Sequence, residues 1–93
     1  MKFSPRRIAS VSVTPHFQRA FRNVPPPLQA LAKSKDAIFR SDPCDPRLKT
    51  HALKGKLKGL WSYSVDYRHR VLFEFLARDH VLYHDIGPHD IYR

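Results

Sequence analysis

Trp61-Ser62-Tyr63-Ser64-Val65, Arg70-Val71-Leu72-Phe73-Glu74-Phe75-Leu76 and His80-Val81-Leu82-Tyr83-His84-Asp85-Ile86 are the segments whose reading decides the fold. The first alternates large apolar with small polar residues, the period of a strand with one buried face. The second is apolar on both faces except at Glu74, which marks the centre of a sheet. The third is another strand. Asp66 to Arg68 and Arg78-Asp79 between them are short, polar hairpin turns. Three strands joined by tight turns make an antiparallel meander. Gly87-Pro88 is expected to break the last strand and release a short tail.

Working toward the N-terminus, Pro46 to Gly59 is a basic run holding Arg47, Lys49, His51, Lys54, Lys56 and Lys58, with Gly55 and Gly59 allowing tight bends. Before it, Asp42-Pro43 and Asp45-Pro46 form a turn that ends a helix. That helix is predicted from about Pro27 to Arg40, with Leu28, Leu31, Ala32, Ile38 and Phe39 facing inward. Pro25-Pro26-Pro27 separates it from an earlier helix. In the earlier one, Thr14 caps, Pro15 takes the first position, and Phe17, Ala20, Phe21 and Val24 form one apolar face. Ile8 to Val13 is a β-prone run. The prediction is therefore an α+β fold: a two-layer sandwich in the order β-α-α-β-β-β, with a mainly antiparallel sheet and an N-terminal αα hairpin packed on it. Residues 1–93 form a single domain.

The chain carries a formal net charge of +9 and a pI of about 10.2. A small domain this basic points to a polyanion or a strongly acidic protein partner. Cys44 is the one cysteine, so no intrachain disulfide forms, which fits a reducing compartment. It has no sequence neighbour that would activate it. Met1 to Arg7 lacks the apolar stretch of a secretory signal, and no run is long enough to span a bilayer. The expected location is cytoplasmic, with no membrane partner and no small-molecule ligand. His80 and His84 share a strand face, but no carboxylate or cysteine at ligand spacing completes a metal set. No metal and no cofactor are expected.

Several short stretches resemble the RelE/ParE superfamily of toxins from bacterial toxin–antitoxin pairs. Gly59-Leu60-Trp61-Ser62 followed by His69-Arg70-Val71-Leu72-Phe73 is similar to the "GxWSxxI…HRLVY" core of the YoeB-like branch. Lys49-Thr50-His51-Ala52-Leu53-Lys54-Gly55 resembles the "HxLxG" loop of YafQ-like members. Asp85-Ile86-Gly87-Pro88-His89-Asp90-Ile91-Tyr92 resembles the "IGxHxxxY" ending of many RelE-type chains, with the aromatic following the histidine by three residues rather than four.

The resemblance implies a RelE-like fold and an mRNA interferase, a ribosome-dependent endoribonuclease that cuts mRNA in the A site. It also implies a cognate antitoxin that neutralises the toxin. Metal-independent cleavage uses the 2′-hydroxyl as nucleophile and needs a base, an acid and cations for the developing charge. By the resemblance, His89 and His51 are the acid/base pair and Arg70 grips the scissile phosphate, while Lys54 stabilises the transition state or holds the backbone and Tyr92 stacks on a base or orients a phosphate. Arg47, Lys49, Lys56, Lys58 and His69 are the RNA-binding set, His69 also helping to place Arg70.

Each residue also has a plainer reading. His89 is then a solvated tail residue, His51 a loop histidine without a task, and Tyr92 a packing aromatic. Arg70 is then a salt-bridge partner of Asp66 or Glu74, and the lysines are solvated surface. Two departures leave the general base open between His51 and His89. Where the YafQ-like branch carries a further histidine this chain reads Ser62-Tyr63-Ser64, and the loop glutamate of the YoeB-like branch has no clear counterpart. Two other functions stay open: a ParE-like gyrase inhibitor without chemistry, and an RNA-binding member that has lost catalysis.

Overall fold

The computed structural model describes residues 7–88. The elements run β1 (Ser10–Val13), α1 (Pro15–Asn23), α2 (Pro26–Ser41), a 3-10 turn (Pro46–Leu48), β2 (His51–Ala52), a second 3-10 turn (Gly55–Leu57), β3 (Trp61–Ser64), β4 (His69–Ala77) and β5 (His80–Pro88). Thr14 separates β1 from α1, and its side chain accepts a hydrogen bond from the Phe17 amide at 2.9 Å, with Pro15 at the first helical position. The same hydroxyl donates to the His84 carbonyl at 3.2 Å, tying the helix start to β5. Gln29 closes the αα hairpin by donating to the carbonyls of Phe21 and Val24 at 3.0 and 3.1 Å.

The sheet has five strands in the order β1-β5-β4-β3-β2. β1 runs parallel to β5, and every other pair is antiparallel. The Arg70–Leu76 segment lies in the central strand, as its two-sided apolar pattern predicts. The sandwich and the antiparallel meander match the sequence reading, with two corrections. First, β2 adds an edge strand. It is two residues long, pairing His51 with Ser62 and Ala52 with Trp61, too short to show any periodicity. Second, β5 does not break at Gly87 but runs through Pro88, with Gly87 opposite Arg70 and Pro88 opposite His69. Proline is excluded from a strand only where its missing N–H is needed. β1 follows β5 only as far as Tyr83, so among the described residues Pro88 has a strand neighbour on one side only.

Phe39 is the centre of the core, with no exposed surface. Its ring lies 4.7 Å from Tyr63 in a stacked arrangement, 4.9 Å from Phe73 edge-on and 5.9 Å from Tyr83. These three aromatics come from β3, β4 and β5, so one helical side chain spans three strands. The buried stripe of α2 passes through Leu28, Ala32 and Phe39. Leu31, expected inward, falls at its margin and is exposed. Above the aromatic cluster runs a polar chain. The Tyr63 hydroxyl donates to the Tyr83 hydroxyl at 3.0 Å, which donates to Asp36 Oδ1 at 2.6 Å, and Arg40 Nε donates to Asp36 Oδ2 at 2.9 Å. Burial pushes both phenols well above the usual tyrosine range, so both stay protonated and able to donate.

Replacing Phe39 with alanine is expected to cost about 3–5 kcal/mol in urea denaturation, a large share of the stability of a domain this size. Tyr83→Phe is expected to cost about 1–3 kcal/mol, and more than Tyr63→Phe, because Tyr83 is the middle link and its loss strands a partner on each side. Equal costs for the two tyrosine variants would show that the chain does not act as a unit.

Candidate functional site

The turn between β3 and β4 builds one wall of a groove. Asp66 Oδ1 accepts the backbone amides of Arg68 and His69 at 2.8 and 2.7 Å and lies 3.0 Å from His69 Nδ1. Burial pushes the Asp66 carboxyl up, but the donors from His69 and Arg68 outweigh it and hold the group below the ordinary value. The turn then fixes the first arginine of β4. Arg70 Nη1 donates to the Asp66 carbonyl at 2.8 Å, with the His69 and Tyr67 carbonyls at 3.3 and 3.4 Å. Neither carboxylate weighed as a partner for Arg70 takes that place. Asp66 engages it through its main chain, and Glu74 lies 2.6 Å from His84 Nε2 instead.

The opposite wall is the 3-10 turn at Pro46–Leu48. Asp45 caps it and also holds the Arg47 guanidinium in a two-point contact, Nε at 3.0 Å and Nη2 at 2.9 Å. The Arg47 side-chain bonds, followed by its backbone amide, lower the Asp45 carboxyl to about 2. The chain then reverses through Lys49 in the left-handed conformation, φ 53°, an uncommon state for a non-glycine residue. His51 Nδ1 lies 2.9 Å from the Lys49 carbonyl.

Between these walls lies a groove of about 290 Å³ lined by Lys35, Arg47, Lys49 and Arg70, with Ser64, Asp66 and Tyr67. Four cations and one carboxylate line this small volume, and even with Arg47 already paired to Asp45 the remaining positive charge suits a phosphate better than a neutral ligand. Another cavity, of about 160 Å³ over Tyr63 and Tyr83 between the helices and the sheet, is chiefly apolar. Among the described residues, no three His, Cys, Asp or Glu side chains gather closely enough to hold a metal ion.

The structure sorts the sequence-predicted residues into three groups. Arg47, Lys49 and Arg70 meet in the groove. His51 lies on β2 opposite Ser62, and Arg70 lies opposite Ser64, so strand alternation puts both on the same sheet face. Two strand spacings and two residues of rise separate their backbones by roughly 12 Å. Lys54, Lys56 and Lys58 are exposed around the second 3-10 turn and do not line the groove. His69 begins β4, with its ring held by Asp66. His89 and Tyr92 lie outside the described residues. Sequence reasoning missed Lys35 and Tyr67. Lys35 stands one helical turn before the buried Phe39, and nothing in the sequence showed that this part of α2 adjoins the groove.

No protein-family model matches this sequence, and no curated protein matches it either. Solved structures do match. The YoeB/ParE toxin from Agrobacterium tumefaciens superposes with a TM-score of 0.71 at 14% identity, covering 86% of this chain and 98% of that one. The toxin–antitoxin complex RelBE2 from Mycobacterium tuberculosis gives 0.68 at 21% identity, covering 85% and 95%. The E. coli DinJ-YafQ toxin-antitoxin complex gives 0.70 at 13% identity, covering 92% and 96%. The chain therefore has the fold of the RelE/ParE toxin superfamily, the fold its motifs resemble.

The lowered Asp45 carboxyl gives a signed pH dependence. A depressed folded pKa contributes stability that is full above the ordinary value of 3.8 and is lost as pH falls toward about 2. Thermal melts of wild type are expected to drop across that window. Those of Asp45→Asn are expected to start lower at neutral pH and fall less steeply. Parallel acid limbs for the two proteins would show that the Asp45–Arg47 contact does not contribute.

Proposed function

We propose that this protein is the toxin of a type II toxin–antitoxin pair, acting in the cytoplasm as a ribosome-dependent endoribonuclease. The observation that carries the reading is the groove. Arg70 is held by main-chain carbonyls beside Lys35, Arg47 and Lys49, on the sheet face that also carries His51. The shared fold with YoeB, RelE and YafQ toxins supports it. In this reading Arg70 binds the scissile phosphate and stabilises the charge that develops on it. His51 reaches the same phosphodiester from β2, since a bound nucleotide fills the gap between them, and His89 completes the acid/base pair. Tyr92 orients the substrate from the tail. Lys54, Lys56 and Lys58, outside the groove, contact ribosomal RNA. The partner is a cognate antitoxin with an acidic segment complementary to the +9 charge.

The test is an in vitro translation reaction with purified protein, mapping mRNA 5′ ends by primer extension with and without ribosomes. Wild type is expected to cut only when ribosomes are present. Arg70→Ala is expected to lose about 10²–10³-fold in rate, and His51→Ala and His89→Ala about 10²–10⁴-fold. A folded wild-type protein that makes no cuts would overturn the ribonuclease reading and direct attention to gyrase inhibition.

A further inference from the structure

Among the exposed large hydrophobic side chains of the described residues Tyr67 stands out at 91%, while Tyr63 and Tyr83 are almost wholly buried. It sits at the tip of the β3–β4 hairpin and lines the cationic groove beside Arg70. The turn does not need its ring. The side chain that holds the turn is Asp66, through the amides of Arg68 and His69. Tyr67 contributes only its carbonyl, 3.4 Å from Arg70 Nη1. A hairpin tip ordinarily carries small polar residues. Here an aromatic ring is presented to solvent on a backbone fixed on both sides, next to four cations.

We propose that Tyr67 is a nucleobase platform. An unpaired base of a single-stranded RNA stacks on its ring while the adjoining phosphate lies in the groove against Arg47, Lys49 and Arg70. This rests on the nucleic-acid reading of the groove and extends it by assigning the base contact. The chemistry is that of single-strand binding generally: cations follow the backbone, and an aromatic face takes a base without reading its sequence. A pinned backbone leaves only two side-chain torsions to order on binding, so stacking loses little to entropy. Among the described residues the exposed ring makes no hydrogen bond or ring contact, so its removal is expected to leave the fold intact.

The experiment is fluorescence-anisotropy titration of the full chain with a labelled short single-stranded RNA, repeated over a range of salt concentrations. Wild type is compared with Tyr67→Phe, Tyr67→Leu and Arg70→Ala. Tyr67→Phe is expected to bind like wild type. Tyr67→Leu, similar in bulk but without a π face, is expected to bind roughly 5- to 100-fold more weakly with an unchanged salt slope. Arg70→Ala should make the slope shallower, since one phosphate contact is gone. Equal affinity for Tyr67→Leu and wild type would overturn the proposal while leaving the nucleic-acid reading standing, and would assign the exposed ring to a protein contact. A wild-type chain that binds no RNA would overturn both.

Discussion

The structure depends on one wedge. Phe39 of α2 enters the point where Tyr63, Phe73 and Tyr83 of three neighbouring strands meet, and it is wholly buried there. A ring stacked on one neighbour and edge-on to another fixes both the height and the tilt of the helix over the sheet. The Tyr63–Tyr83–Asp36–Arg40 chain then fixes its rotation, because hydrogen bonds are directional where apolar contacts are not. Once α2 is placed, Lys35, one turn before Phe39, is placed at the groove. The Asp42–Asp45 turn leaving the helix then sets where Arg47 and Lys49 emerge. The cationic site is thus positioned by the apolar core beneath it.

The acidic residues explain how so basic a chain keeps most of its cations available, Arg47, paired with Asp45, being an exception. Asp36 receives Tyr83 and Arg40, and Asp42 and Asp45 accept the amides of Cys44 and Arg47. Asp66 pins the β3–β4 turn, and Glu74 and Asp85 lie against histidines. The carboxylates are largely committed to holding turns and helix ends. Arg70 follows the complementary rule, since main-chain carbonyls orient its guanidinium without cancelling its charge. An arginine fixed by neutral dipoles keeps its full attraction for a phosphate, whereas one fixed by a carboxylate gives part of it up.

Much of this was legible in the residues. The period of 2 located β3, the helical spacing of apolar residues located both helices, and Thr14-Pro15 announced the start of α1. The two-sided apolar run of β4 identified the sheet centre. β2 was not legible, since two residues carry no period and its pairing is imposed by the fold of the loop. Nor was the passage of β5 through Gly87-Pro88, which depends on how far β1 extends alongside it. In the groove, Arg47, Lys49 and Arg70 came from charge and resemblance. Lys35 and Tyr67 depended on which helix face and which hairpin tip the tertiary structure brings together.

The parallel pairing of β1 with β5 has a consequence for how the chain comes into being. Ser12 meets His80 across a sequence separation of 68 residues, and among the described residues β5 is the only strand that β1 pairs with. During synthesis the first strand therefore leaves the ribosome long before its neighbour exists, and the αα hairpin waits without a sheet to cover. The five-stranded sheet is completed only when the last strand emerges. A sheet with so distant a closing contact forms as a unit, so its surfaces mature together once β5 is available.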